Sequence, residues 1–348
     1  MKLQNRYVIG NLVMFYELEM LPEYIQSCVQ MMEGIENPEN VTFHFCFNFQ
    51  EYLEKIDWKE ISIRTEDSIL YQLSEDVRII RLKNVFYKTL DPLFQFDCGI
   101  KLDFQTNDDP FYNIAAYRRT LNDQWCQKVD LVLWGETDSL WPKQTLEIIE
   151  GVSEQTPKPK FILNFAGRKN WDSSWSAITH PLFEDVAYQE NDEWILNNEA
   201  SEKSYMTIER MNEINSIELD KIEIQILEQP KADGSCLVIS SELIKSGVNI
   251  PHALIHCGED ESFLRMAKLV MGNEFIQYNV KNILRVHNRR HPRKRNFILN
   301  EDNKQGFCDS RKGDWWKILE DSSKFNLENL RKNDKFIKTE EVIKQIQK

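Results

Sequence analysis

Paired cysteines are missing from this chain. Its seven cysteines stand at 28, 46, 98, 126, 236, 257 and 308, an odd number with no CxxC spacing. That distribution excludes a zinc cage or a disulfide framework as the organising device and points to a reducing compartment, the cytoplasm. Long apolar runs are missing too. No stretch approaches the ~20 apolar residues that cross a bilayer, and the first apolar run stops at Glu17, too short for a signal segment with a cleavage site. No transmembrane segment is therefore expected, nor is any internal repeat visible.

What is present is the composition of a folded protein. Of 348 residues, 41% are hydrophobic and 11% aromatic, enough for one large or two small domains with a proper core. The net charge of −13 is unevenly placed. From His287 onward there are 16 Lys/Arg against 10 Asp/Glu, a local +6 that leaves −19 for the first 286 residues. An acidic body does not wrap a nucleic acid, while the basic C-terminal portion leaves room for a polyanion at one edge.

The chain is organised around Val129–Pro142. Leu131-Val-Leu-Trp134 is an apolar run of strand length that leads through Gly135 into Glu136 and Asp138. Ligands of open α/β sheets bind beyond the carboxyl ends of strands, so carboxylates there suit a hard divalent cation with a phosphate-bearing partner. An acid-x-acid pair arises roughly nine times by chance in a chain this acidic, so the pair needs support from elsewhere.

The flanking segments alternate between strand and helix. Residues 7–16 read as a strand and Leu21 to Met32 as a helix, with Pro22 in its first turn; Val41 to Phe47, ending in Asn48, and Val77 to Leu82 read as further strands. Phe111 to Trp125 carries a helical apolar stripe that includes Arg118, whose inward guanidinium requires a carboxylate or a ligand phosphate. Lys143 to Glu150 reads as a helix ended by Gly151, and Lys160 to Phe165 as a strand. The polar loop that follows holds Trp171 and Trp175, suited to sugar stacking or, more commonly, to anchoring the loop. Residues 190–220 lack a strong period and read as an insertion or lid. Strand character returns at 222–227 and 236–241, with a short helix at 242–245. Then Gly258-Glu-Asp260 opens a helix with the stripe Phe263, Met266, Ala267, Val270, Met271 and stop Gly272, where Asp260 could serve simply as a cap. A strand ending near Val286 delivers His287 before the basic run containing Arg289 and Arg290. The expected division is a body at 1–290 and a basic extension at 291–348, with a last helix at 338–347.

This order of strand, acidic loop and helix, then Glu136-Thr-Asp138, then Gly258-Glu-Asp260 resembles the family 2 glycosyltransferases of the GT-A fold. The resemblance runs through most of the chain. It implies an α/β fold, a Rossmann-like mixed sheet flanked by helices, with a helical or irregular C-terminal extension. It further implies that Asp138 binds Mn²⁺ or Mg²⁺ with Glu136 assisting, and that His287 completes the metal shell. Asp260 would be the base on the acceptor hydroxyl, supported by Glu259. Glu17 and Asn48 would meet the nucleotide together with Glu136 and Arg118, Asn48 standing where the family usually has an acid.

The implied partners are a nucleotide-diphosphate sugar and an acceptor that is a glycan, a protein or a small molecule. Arg289 and Arg290, with Trp171 and Trp175, are the acceptor or phosphate candidates, and the basic run would also suit DNA bearing modified bases. Two other classes compete. A nucleotidyltransferase would carry a Gly-rich basic loop where this chain has Tyr16-Glu-Leu-Glu. A non-catalytic carbohydrate- or nucleotide-binding relative would be expected to lose Asp138 or Asp260, and both are present.

Overall fold

The computed structural model describes residues 1–14, 17–18, 20–48, 64–65, 68–69, 72–105, 114–157, 159–168, 173–183, 205–229, 231–254, 258–288 and 315–329. Its strands are β1 (Tyr7–Met14), β2 (Val41–Asn48), the short pair β3 (Arg64–Thr65) and β4 (Ser68–Ile69), β5 (Gly99–Gln105), β6 (Leu131–Gly135), β7 (Ser139–Leu140), β8 (Phe161–Ala166), β9 (Ile224–Ile226), β10 (Leu237–Ser240), β11 (Ile276–Leu284) and β12 (Val286–His287). The helices are α1 (Leu21–Met32), α2 (Glu75–Leu90), α3 (Ile114–Trp125), α4 (Thr145–Gln155), α5 (Ile208–Ile214), α6 (Ser241–Lys245), α7 (Glu259–Met271) and α8 (Trp315–Glu328).

Eight strands form one mixed sheet in the order β5-β2-β1-β6-β10-β8-β11-β9, with β10 running antiparallel between β6 and β8. Helices cover both faces, which is the GT-A-like α/β layering that the sequence implied. Alternation along the strands decides the two cores. Ile9, Phe43, Phe45 and Leu133 meet α1, α2 and α4 on one face. Val8, Val132, Trp134 and Ile239 meet α3, α6 and α7 on the other. Each fully buried Leu, Ile or Phe contributes roughly 1.5–3 kcal/mol. The close seat of α3 depends on Gly10, where a Cβ would stand 2.2 Å from Leu121 Cδ2.

Several local expectations change. Val77 to Leu82 is helical, not extended, because Leu82, Phe86 and Leu90 continue a four-residue period and are all fully buried. Gly151 lies inside α4, which runs on to Gln155 and ends before Thr156-Pro157. Burial of Ile148, Ile149 and Val152 outweighs the ~1 kcal/mol that an interior glycine costs. β5 had no counterpart among the expected strands; it lies at the sheet edge with half-buried side chains. Within 205–220, α5 is a capped helix: the Thr207 side chain accepts from Arg210 N, and Ile208 and Met211 pack with Leu140, Leu284 and Val286. Helix α8 rests on the main body through buried Leu327 and an Asn326 Nδ2 bond to the Ala253 carbonyl. Residues 338–347, Arg289, Arg290, Trp171 and all of 190–204 lie outside the described residues. Among the described residues, no helix is long and apolar enough to cross a membrane.

Candidate active site at the carboxyl edge of the sheet

At the end of β6 the chain turns at once, Ser139 N donating to the Glu136 carbonyl at 2.9 Å. The tight turn is followed by β7, which pairs antiparallel with β12 and sets Ser139 opposite His287. Asn288 N then donates to the Asp138 carbonyl. These backbone bonds, not side-chain chance, hold Glu136, Asp138 and His287 together. Each offers one ligand atom, and the three atoms lie within 4.8 Å of one another. His287 Nε2 stands 3.3 Å from Glu136 Oε2 and 3.5 Å from Asp138 Oδ1.

The other side of the imidazole meets a bonded frame. Ser235 Oγ lies 3.4 Å from His287 Nδ1, donates its own hydrogen to Asp233 Oδ1 at 2.8 Å, and accepts from Arg285 Nη1. With that hydrogen committed, Ser235 Oγ can only accept from Nδ1–H, so the frame suits the tautomer whose Nε2 would be free to ligate a cation held by the two carboxylates. Asp233 Oδ2, itself bonded to Arg285 Nη2 at 2.5 Å, adds charge 3.9 Å from Nδ1. Burial alone would lower the His287 pKa, but Asp138, Asp233 and Glu136 outweigh it and raise it. Burial would likewise raise Asp233, and Arg285, His287 and the Ser235 N–H hold it well below the usual carboxylate range. Two carboxylates and one oriented imidazole form a donor set that could hold a metal ion.

The second half of the site is the start of α7. Gly258, with φ 80°, supplies the left-handed residue from which the helix begins, a backbone conformation that residues bearing a Cβ rarely adopt. Asp260 is not the side-chain cap of that helix: its Oδ1 accepts from Glu261 N at 2.7 Å and its Oδ2 from Gly234 N at 3.0 Å. Burial first, then the nearby Asp233, push Asp260 up to about 6. Burial, with Asp260 and Glu136 adding to it, also raises Glu259 against the pull of Arg118.

Arg118 joins the halves. From α3 its guanidinium donates to Glu259 Oε1 at 2.5 Å, to Glu136 Oε1 at 2.7 Å and to the Gly234 carbonyl at 2.7 Å, while stacking 4.9 Å from the Trp134 ring. Of the two partners expected for this inward guanidinium, the structure supplies carboxylates. Glu17 is buried at the same edge, where Thr137 Oγ1 donates to its Oε2 at 3.1 Å. Asn48 ends β2 in register with Met14, one strand beyond β1. Trp175 is half-buried, with Lys231 Nζ 4.7 Å from the centre of its ring.

No family profile matches the chain, and no curated protein matches it by sequence. Among solved structures it is similar to S. aureus TarS 1–349 at 11% identity, covering 98% of this chain and 78% of that one with a TM-score of 0.39. It is similar at 10% identity to TarS 1–349 in complex with UDP-GlcNAc, over 79% of this chain and 58% of that one, TM-score 0.37. A mycobacterial protein is similar at 10% identity over 82% and 67% of the two chains, TM-score 0.38. The strand order and the side-chain geometry therefore carry the functional conclusion alone.

One element of the site has no precedent among the expected residues. The turn Asp233-Gly-Ser-Cys236 bonds to Arg118, Asp260, His287 and Arg285 together. It ends at Cys236 with φ 55°, a left-handed conformation rare for a residue bearing a Cβ. The Asp-Gly dipeptide just ahead of an apolar strand was the available signal.

Proposed function

We propose that this chain is a metal-dependent glycosyltransferase that moves a sugar from a nucleotide-diphosphate donor to an acceptor hydroxyl, with inversion. The observation that supports it best is that the Glu136-Asp138-His287 cluster and the Asp260 carboxylate belong to one bonded frame, joined by Arg118 and the 233–235 turn.

Asp138, Glu136 and His287 are the residues that would hold Mn²⁺ or Mg²⁺. A bound divalent ion supplies Lewis-acid stabilisation to the diphosphate as it leaves. Glu17 and Asn48, on the β1–β2 side of the cluster, are assigned to the nucleotide. Asp260 takes the proton from the attacking hydroxyl. A raised pKa suits that task, because a base poised near the working pH is mostly ionised yet strong enough to accept a proton. Arg118 holds Glu259 beside it and offsets charge that would otherwise accumulate among Glu136, Glu259 and Asp260. One base, acting on a hydroxyl that approaches opposite the departing group, inverts the anomeric centre. A soluble glycan, a protein or a small molecule fits the acidic body as acceptor. DNA would need the basic run containing Arg289 and Arg290.

The test is donor hydrolysis. The protein is incubated with Mn²⁺ and a panel of nucleotide sugars, UDP-GlcNAc among them, with Asp138→Ala as control. Metal-dependent release of nucleotide diphosphate from one donor, lost in the variant, is expected. If no nucleotide sugar is hydrolysed and none raises the melting temperature in the presence of Mn²⁺, the proposal fails.

A further inference from the structure

Arg168 stands two residues past the end of β8, at the same edge of the sheet where β6 delivers Glu136 and Asp138. Other inward arginines here are bonded: Arg118 to Glu136 and Glu259, Arg285 to Asp233, and Arg119 to the carbonyls of Ile250, Pro251 and Leu254. Arg168 differs. Its Nη2 is closed off from solvent and has no hydrogen-bond partner, and among the described residues no carboxylate pairs with the guanidinium. Burial alone pulls its pKa down to about 10, with no acidic neighbour pulling it back. Arg168 is half-buried, and an unpaired cation drawn this far out of water is costly, so natural proteins keep one chiefly where something else supplies the counter-charge.

Its position is fixed by the backbone before it. Gly167 bridges to Thr179, takes a bond from His180 N at 2.7 Å and donates to the Ile178 carbonyl at 2.9 Å. A Cβ on Gly167 would stand 3.2 Å from Arg285 Nη2, so Arg168 begins one residue away from the Arg285-Asp233 pair that backs His287. Across the sheet, β8 is two strands from β6, about 10 Å at ordinary strand spacing. That displacement is away from β1 and β2, which carry the residues assigned to the nucleotide.

We propose that Arg168 is an anion site and that it holds a phosphate or carboxylate group of the acceptor. Assigning the anion to the acceptor rests on the function proposed above; the anion site itself does not.

The full chain is melted in EDTA at constant ionic strength, with inorganic phosphate and separately with acetate, alongside Arg168→Gln and Asp138→Asn. Phosphate, acetate or both should raise the melting temperature of the native chain and of Asp138→Asn saturably, and the stronger of the two names the group. Apparent affinity should fall at least tenfold in Arg168→Gln. Without added anion, Arg168→Gln should melt at or above the native chain, since a half-buried unpaired charge has been removed. An equal anion response in Arg168→Gln, or none in the native chain, overturns the site. A lower melting temperature of Arg168→Gln without anion also overturns it, by showing that a protein carboxylate already partners the guanidinium. Repeating the titration with Mn²⁺ and the nucleotide diphosphate identified in the donor screen places the anion: additive shifts put it on the acceptor side, and competition puts it on the donor and overturns that assignment. A chain that hydrolyses no donor but still shows the Arg168-dependent shift loses the proposed function and keeps the anion site.

Discussion

Replacing Arg118 by methionine removes the cation that Glu136 and Glu259 share and leaves both carboxylates facing a closed interior. Breaking a buried ion pair by deleting one partner costs about 3–5 kcal/mol. Methionine refills part of the volume beside Trp134. Glu136, with a side chain 23% exposed, can recover some water, whereas Glu259 at 12% recovers less. A loss of about 4 kcal/mol is therefore the working figure. With an unfolding entropy of roughly 2.1 cal/mol/K per residue, it lowers the melting temperature by about 5–6 °C. The pH dependence discriminates further. Burial already raises the Glu259 pKa with Arg118 in place, and loss of the guanidinium raises it further above its unfolded value. A carboxyl raised in this way does no harm below its unfolded pKa, about 4.3, and destabilises increasingly as pH rises through its folded pKa. Calorimetry of the native and variant chains at pH 5 and pH 8 should show the larger deficit at pH 8. An equal deficit at both, or one below about 1 °C at pH 8, would refute the idea that Arg118 acts through these carboxylates.

Other perturbations have equally definite outcomes. Asp260→Asn should keep donor binding, measured by melting with Mn²⁺ and the active nucleotide sugar, while transfer falls on the order of 10²–10⁴. Since Asp260 must be ionised to accept a proton and its pKa is raised to about 6, native kcat/KM should fall as pH drops through that value; a flat acid limb would remove it as the base. Asp233→Asn leaves Ser235 and His287 less firmly oriented and should weaken Mn²⁺ affinity on the order of 10–100-fold, read by calorimetric titration. Gly234→Ala would place a Cβ 2.3 Å from Arg118 Nη1 and 3.2 Å from Glu259 Oε1. It should lower both stability and transfer although it alters no charge; native-like melting and turnover would show that the turn does not need its close approach.

The fold was legible where burial and sequence period agreed. Leu131-Val-Leu-Trp134 is buried throughout and is a strand, as its apolar run required. The stop of α7 at Gly272 is where it was expected, and Phe263, Ala267 and Met271 of its stripe are buried, although Val270 is exposed and Leu264 is buried in its stead. Val77–Leu82 misled because six residues contain too little of a helical period; the deciding contacts, Phe86 and Leu90, lie beyond that window. β5 does alternate, with Ile100, Leu102 and Phe104 turned to one core and Lys101 and Asp103 between them, a signal that was passed over. The site divides along similar lines. Glu136, Asp138 and His287 could be named because strand ends gather at one edge of a parallel arrangement. Asp233, Ser235 and Arg285 could not, since nothing in their spacing records that they would back the imidazole.

The sequence by itself determined the chemical alphabet of the site: carboxylates after β6 and at the start of α7, a histidine after the last long strand, and an arginine on an apolar stripe. Those identities and local periods are one-dimensional properties. The tertiary structure decided who faces whom. Arg118 meets Glu259 across 141 positions of chain, and Gly234 meets Asp260 across 26, because β10 enters antiparallel between β6 and β8 and carries its leading turn to the edge where the other strands end. Charge pairing and hydrogen bonding depend on separations of a few ångströms, and only the packed sheet sets those.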